Sequence, residues 1–71
     1  MHRYVILIEP TPTGFSAYSP DLPGCIATGA TTAEVEANMR SAIEFHVDGL
    51  RTDGHPVPPA HTIAAYVEVA A

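Results

Sequence analysis

The side chains weighed first for chemistry in this chain are one thiol, four imidazoles and eight carboxylates. The thiol, Cys25, closes the run Pro20-Asp21-Leu22-Pro23-Gly24-Cys25. A nucleophilic cysteine needs a lowered pKa, a histidine in reach and donors for the developing oxyanion. Cys25 has no histidine close in sequence, and it falls at the start of a predicted strand instead of a helix N-terminus. It therefore reads as a small, buried, unreactive side chain that a turn happens to hold. Zinc asks for about four Cys or His ligands, and His2, His46, His55 and His61 show no pair at ligand spacing.

The carboxylates open a second possibility, since two-metal hydrolysis needs several of them converging on ions roughly 4 Å apart. Glu9 ends the first predicted strand and Glu68 lies on the last, with Glu34, Glu36 and Glu44 on the helix between. Glu36 with Arg40, and Asp48 with Arg51, have the spacing of surface ion pairs. Glu44 falls on the solvated side of that helix. These acids read as solvated charge, and no catalytic residue, metal or cofactor is assigned. The alternative is a weak metal-dependent nuclease built on Glu9, Glu68 and a helix glutamate. His46 lies in an apolar stripe, as a core or interface histidine would, and His55 beside a proline reads as solvent-facing.

The elements that must position these residues follow from pattern. HRYVILIE, residues 2–9, is the first strand, with Tyr4, Ile6 and Ile8 on one face and Val5 and Leu7 on the other. Both faces are apolar, as in a strand covered on both sides. PTPTG breaks it, with Gly14 offered for the positive φ of a hairpin. FSAYS, residues 15–19, is the second strand and CIATG, residues 25–29, the third. Between them Pro23-Gly24 fits the two central positions of a type II turn, and Pro20 ends the preceding ladder.

One long helix spans TTAEVEANMRSAIEFHVDGLRTDG. Thr31 and Glu34 form a capping box at its start, and Gly54 followed by Pro56 stops it. Val35, Met39, Ala42, Ile43, His46, Val47 and Leu50 make its apolar stripe, with Phe45 on a flank. HPVPPA is a stiff connector, and Thr62 to Val69 alternates as a fourth strand. The resulting expectation is an α+β domain, β-β-β-α-β, with a four-stranded mixed sheet of order 3-2-1-4 and one helix on one face. Strand four would lie parallel to strand one through a right-handed crossover. This layout resembles the first part of the ribonuclease H fold.

Seventy-one residues make one domain, residues 1–71. Such a chain buries only about 60% of its unfolded surface, and without disulfide or zinc it is expected to gain stability as a homo-oligomer, dimer or tetramer. Tyr4, Ile6, Ile8 and Phe45 are the candidate oligomer or partner surface. A lone cysteine and no signal or membrane-spanning run place the chain in the cytoplasm. Three arginines, no lysine and a net charge of −5 disfavour nucleic acid and favour a basic protein partner.

The run YSPDLPGCIATGATTAEVEANMRSAIEFHVDGLRTDGHPVPP resembles the HicB-like antitoxin family. The shared features are P-D-L-P-G-C, the G-x-T after it, a helix with N and then A-I-E at its middle, and D-G-x-P-x-P beyond. That resemblance implies a catalytically inactive, partial ribonuclease H-like fold that oligomerises and binds a HicA-type toxin, a small basic messenger-RNA-cleaving protein. Fuller members of the family add a C-terminal DNA-binding segment. This sequence stops at Ala71, after the fourth predicted strand, so the resemblance implies a short form without operator binding. A stand-alone regulatory module that binds another protein is a further alternative.

Overall fold

Three of the predicted strands form, and they pair in chain order. The computed structural model describes residues 2–71, with β1 (Leu7–Thr11), β2 (Gly14–Tyr18) and β3 (Ile26–Gly29) followed by α1 (Thr32–Thr52). Both pairings are antiparallel, in the order β1-β2-β3. The β1–β2 hairpin closes with Thr11 opposite Gly14, so its turn is Pro12-Thr13 and Gly14 already belongs to β2.

The first strand is shifted from its expected span. Tyr18, the last residue of β2, pairs with Leu7, so residues 2–6 run past the end of β2 and have nothing to pair with there. At the other end β1 continues through Pro10, which is tolerated because β1 is an edge strand of the described sheet.

The helix is bounded as its sequence signals require. Thr31 Oγ1 accepts from the Glu34 N–H at 3.1 Å, and Glu34 reaches back to the Ala30 N–H at 3.1 Å. One orphan donor of the first turn and the N–H just ahead of the cap are thereby satisfied. At the other end the Gly54 N–H donates to the Arg51 carbonyl and the His55 N–H to the Leu50 carbonyl, with Gly54 at φ +72. This is a Schellman closure, which needs a left-handed residue just past the cap.

α1 lies on one face of the sheet, and its first turn comes closest to the end of β3. A Cβ added to Gly29 would stand 2.6 Å from the Val35 nitrogen, so only glycine admits the helix backbone here. Asn38 Nδ2 donates to the Thr28 carbonyl at 2.8 Å and secures the same junction. The core between the layers is Ala17, Leu22, Cys25, Val35 and Met39, flanked by half-buried Tyr4, Ile6, Ile8, Phe15, Ala27, Ala42 and Ile43. Ile8, Ala17 and Ala27 are register partners across the three strands. The small side chains in the middle let the helix approach.

The expected four-stranded sheet of order 3-2-1-4 is not the fold, which is β-β-β-α. Thr62 to Val69 joins no strand among the described residues, so the parallel crossover and the ribonuclease H-like layout that depended on it fall together. The alternation in that segment is real, but it decides only which side chains share a face. Which edge a strand joins, if any, is a tertiary matter. After the helix the chain returns to the Pro20–Cys25 turns, is held there, and then leaves the body. Its radius of gyration is 13.7 Å, against about 11 Å for a compact chain of this length.

Candidate protein-interaction surfaces

The run from Pro20 to Cys25 is a pair of successive turns. The Leu22 N–H donates to the Ser19 carbonyl at 3.2 Å and the Cys25 N–H to the Leu22 carbonyl at 3.1 Å. Gly24 takes φ +81, as the type II turn requires. Leu22, the hinge of both turns, is fully buried and drives the reversal into the core. Cys25 is also buried, and desolvation pushes its thiol pKa up. A raised pKa keeps the sulfur protonated, the opposite of what a nucleophile needs. The Ser19 hydroxyl is buried with no hydrogen-bond partner.

Asp21 has a role that its position in a turn does not announce. Its carboxylate is buried and faces the returning C-terminal segment. Oδ2 accepts from the backbone N–H groups of His61 (3.1 Å) and Thr62 (3.0 Å), and Oδ1 accepts from the Thr62 hydroxyl at 2.6 Å. The His61 ring Nδ1 stands 3.0 Å from Oδ1. The Thr62 hydroxyl above all, then the Thr62 amide and His61, hold the carboxyl below its ordinary value against the opposing effect of burial. Tyr4 adds a second tie, donating its hydroxyl to the Pro58 carbonyl at 2.6 Å. The only sequence signal for this clamp was an acid inside a turn rich in proline, and its partners lie forty residues away.

Of the four candidate surface residues, Tyr4, Ile6 and Ile8 lie half-buried against the core on the helix side. Phe45 is 83% exposed on α1, with Glu44 and Asp48 exposed beside it. The sheet face turned away from the helix carries a different apolar row, in which Leu7, Tyr18 and Ile26 are register partners and all exposed. Beyond Thr62 the exposed apolar residues are Ile63, Tyr66, Val67 and Val69.

Glu9 and Glu68, the strand acids of the nuclease alternative, are not on neighbouring strands, because Glu68 lies outside the sheet. Among the described residues no group of three or more His, Cys, Asp or Glu side chains could hold a metal ion. No described helix is long and apolar enough to cross a membrane.

The described residues thus form a small α+β unit with a buried thiol and exposed apolar side chains, in a chain of acidic balance. The profile of the family described as HicB_like antitoxin of bacterial toxin-antitoxin system matches residues 4–70, and the chain belongs to that family. It is 36% identical to an uncharacterized 14.9 kDa protein of Haemophilus phage HP1, over 90% of this chain and 48% of that one. A UPF0150 protein of Synechocystis sp. is 34% identical over 82% of this chain and 75% of its own length. Among solved structures, a chain in one described as a HicA3 and HicB3 toxin-antitoxin complex superposes with a TM-score of 0.70. The two are 38% identical, and the match covers 78% of this chain and 64% of that one. The chain thus spans about half the length of the phage relative and under two thirds of the structural one.

Proposed function

We infer that this chain acts as an antitoxin, binding a HicA-type messenger-RNA-cleaving toxin and blocking it by occupancy, with no catalysis of its own. The observation that carries the inference is the likeness, in both sequence and fold, to a chain of a toxin-antitoxin complex. Charge supports it independently. A net charge of −5 attracts a basic ribonuclease and repels that enzyme's RNA substrate. The docking element is the outer side of α1, where Phe45 stands exposed with the exposed carboxylates of Glu44 and Asp48 on one side of it. An aromatic ring bordered by acids suits the arginine and lysine side chains of a basic partner.

Calorimetry and an RNA-cleavage assay with a HicA-type toxin test this. Binding is expected to inhibit cleavage at equimolar chain and to weaken as salt rises. Phe45→Ala is expected to lower affinity roughly tenfold or more, as loss of an interface anchor does. Absence of binding would leave the chain a stand-alone module. Cleavage of RNA by the chain itself with Mg²⁺, lost in a Glu9→Gln, Glu68→Gln double variant, would make it a nuclease.

A further inference from the structure

Two features of the molecule fit one another and, apart from Glu44 at one rim, lie outside the proposed toxin-binding surface. One is the segment 63–71, an arm with the sequence IAAYVEVAA. All of it is exposed, Ile63, Tyr66, Val67 and Val69 nearly completely, and none of it is hydrogen-bonded into a strand. An alternating apolar segment left in water is a strand without a partner. The other is the open edge of the sheet. Residues 2–6 and the outer side of β1 are unpaired among the described residues, and beside them a groove of about 670 Å³ runs against α1. Its floor includes Tyr4, Ile6 and Ile43, and its rims carry Arg3 and Arg40 along with Glu36 and Glu44.

We propose that the arm, residues 63–71, pairs along the open edge formed by residues 2–6 and β1 of a second copy of this chain. The dimensions agree: nine residues of strand reach about 30 Å, which matches the ten residues from His2 to Thr11. Side-chain chemistry agrees as well. Ile63, Ala65, Val67 and Val69 form one face of the arm, which packs onto Ile6 and Ile43. The arm's only charged side chain is Glu68, and the groove holds two of the three arginines in the chain. The arm is directed away from its own body by the Asp21 clamp, which holds its root at His61 and Thr62. Each copy offers one arm and one groove, so reciprocal exchange closes on a two-fold axis and covers the β1 edge of both copies. The exchange buries the exposed row of the arm and completes the backbone hydrogen bonding of residues 2–6.

Sedimentation of the full chain, with isotope-filtered NMR on an equal mixture of labelled and unlabelled protein, tests the proposal. A dimer is expected, with contacts from the Val67 and Val69 methyls of one copy to the Ile6 and Ile43 methyls of the other. Val67→Asp is expected to give a monomer that keeps its helical circular dichroism, whereas Ile26→Asp on the outer sheet face leaves the dimer intact. A monomer at all micromolar concentrations overturns the proposal, as do arm contacts found only within one copy. So does a dimer that survives Val67→Asp. Because none of these readouts needs the toxin, they stand or fall separately from the antitoxin assignment.

Discussion

From Leu7 to Gly54 each element is held by its neighbours in sequence as well as in space; from His55 to Ala71 the chain is held from outside itself. In the first region strands pair with the next strand along, the helix caps itself at both ends, and Gly29 and Asn38 seat its first turn. In the second, Tyr4 grips the Pro58 carbonyl and Asp21 grips His61 and Thr62, after which the apolar residues stand in water. The contrast separates two ways of using the same apolar alphabet. Val35 and Met39 recur at helical spacing toward a sheet that is already there. Val67 and Val69 recur at strand spacing with no sheet edge beside them among the described residues.

The sharpest break of the first region is at its most buried large side chain. Leu22→Ala removes the residue on which both turns pivot and is expected to cost about 2–5 kcal/mol in urea or thermal unfolding. In a domain this small such a loss brings the body close to unfolding. A loss near zero would mean that the turns do not depend on the core.

A smaller effect, of opposite sign at two glycines, sharpens how closely the body is packed. Gly29→Ala puts a methyl group against the Val35 backbone and is expected to destabilise by about 1–3 kcal/mol. Gly49→Ala, inside α1 and with open space around the added Cβ, is expected to stabilise by about 0.5–1 kcal/mol. Equal effects at both positions would refute the close seating of the helix on β3.

The mildest perturbation addresses the second region alone. Asp21→Asn keeps the shape of the side chain but removes its charge, and is expected to raise hydrogen exchange at the His61 and Thr62 amides while the amides of α1 stay protected. Protonation should do the same. The clamped carboxyl titrates below its ordinary value of 3.8, so its contribution is complete above that pH and is lost as pH falls through the lower, clamped value. Release of the arm at a higher pH than that, followed by NMR shifts of Thr62, would show that some other group holds it.

Much of the body was legible because its determinants are local. The type II turn at Pro23-Gly24, the Thr31–Glu34 cap, the Gly54 stop and the apolar stripe from Val35 to Ile43 are each written within a few residues, and each stands in the structure; His46, Val47 and Leu50, expected in the same stripe, lie outside the core cluster. The inert environment of Cys25 was legible for the same reason, since no histidine precedes or follows it closely. What could not be read were relations across distance. That residues 2–6 overrun β2 depends on where the Pro20 turn cuts the hairpin short. That Asp21 is a clamp depends on the chain returning to it after the helix.

By itself, then, the sequence determined which residues turn, which are helical and which alternate, because those choices are made by φ/ψ preference and by hydrophobic period over a single turn or strand. It also carried the family, in the residues from Tyr18 to Pro59 that match its motifs. Only the tertiary structure decided that the last alternating segment stays out of the sheet, and that the open apolar row is Leu7, Tyr18 and Ile26. The physical reason is that a strand's period says which side chains share a face, while its backbone donors and acceptors are satisfied by whichever edge the rest of the fold brings within reach.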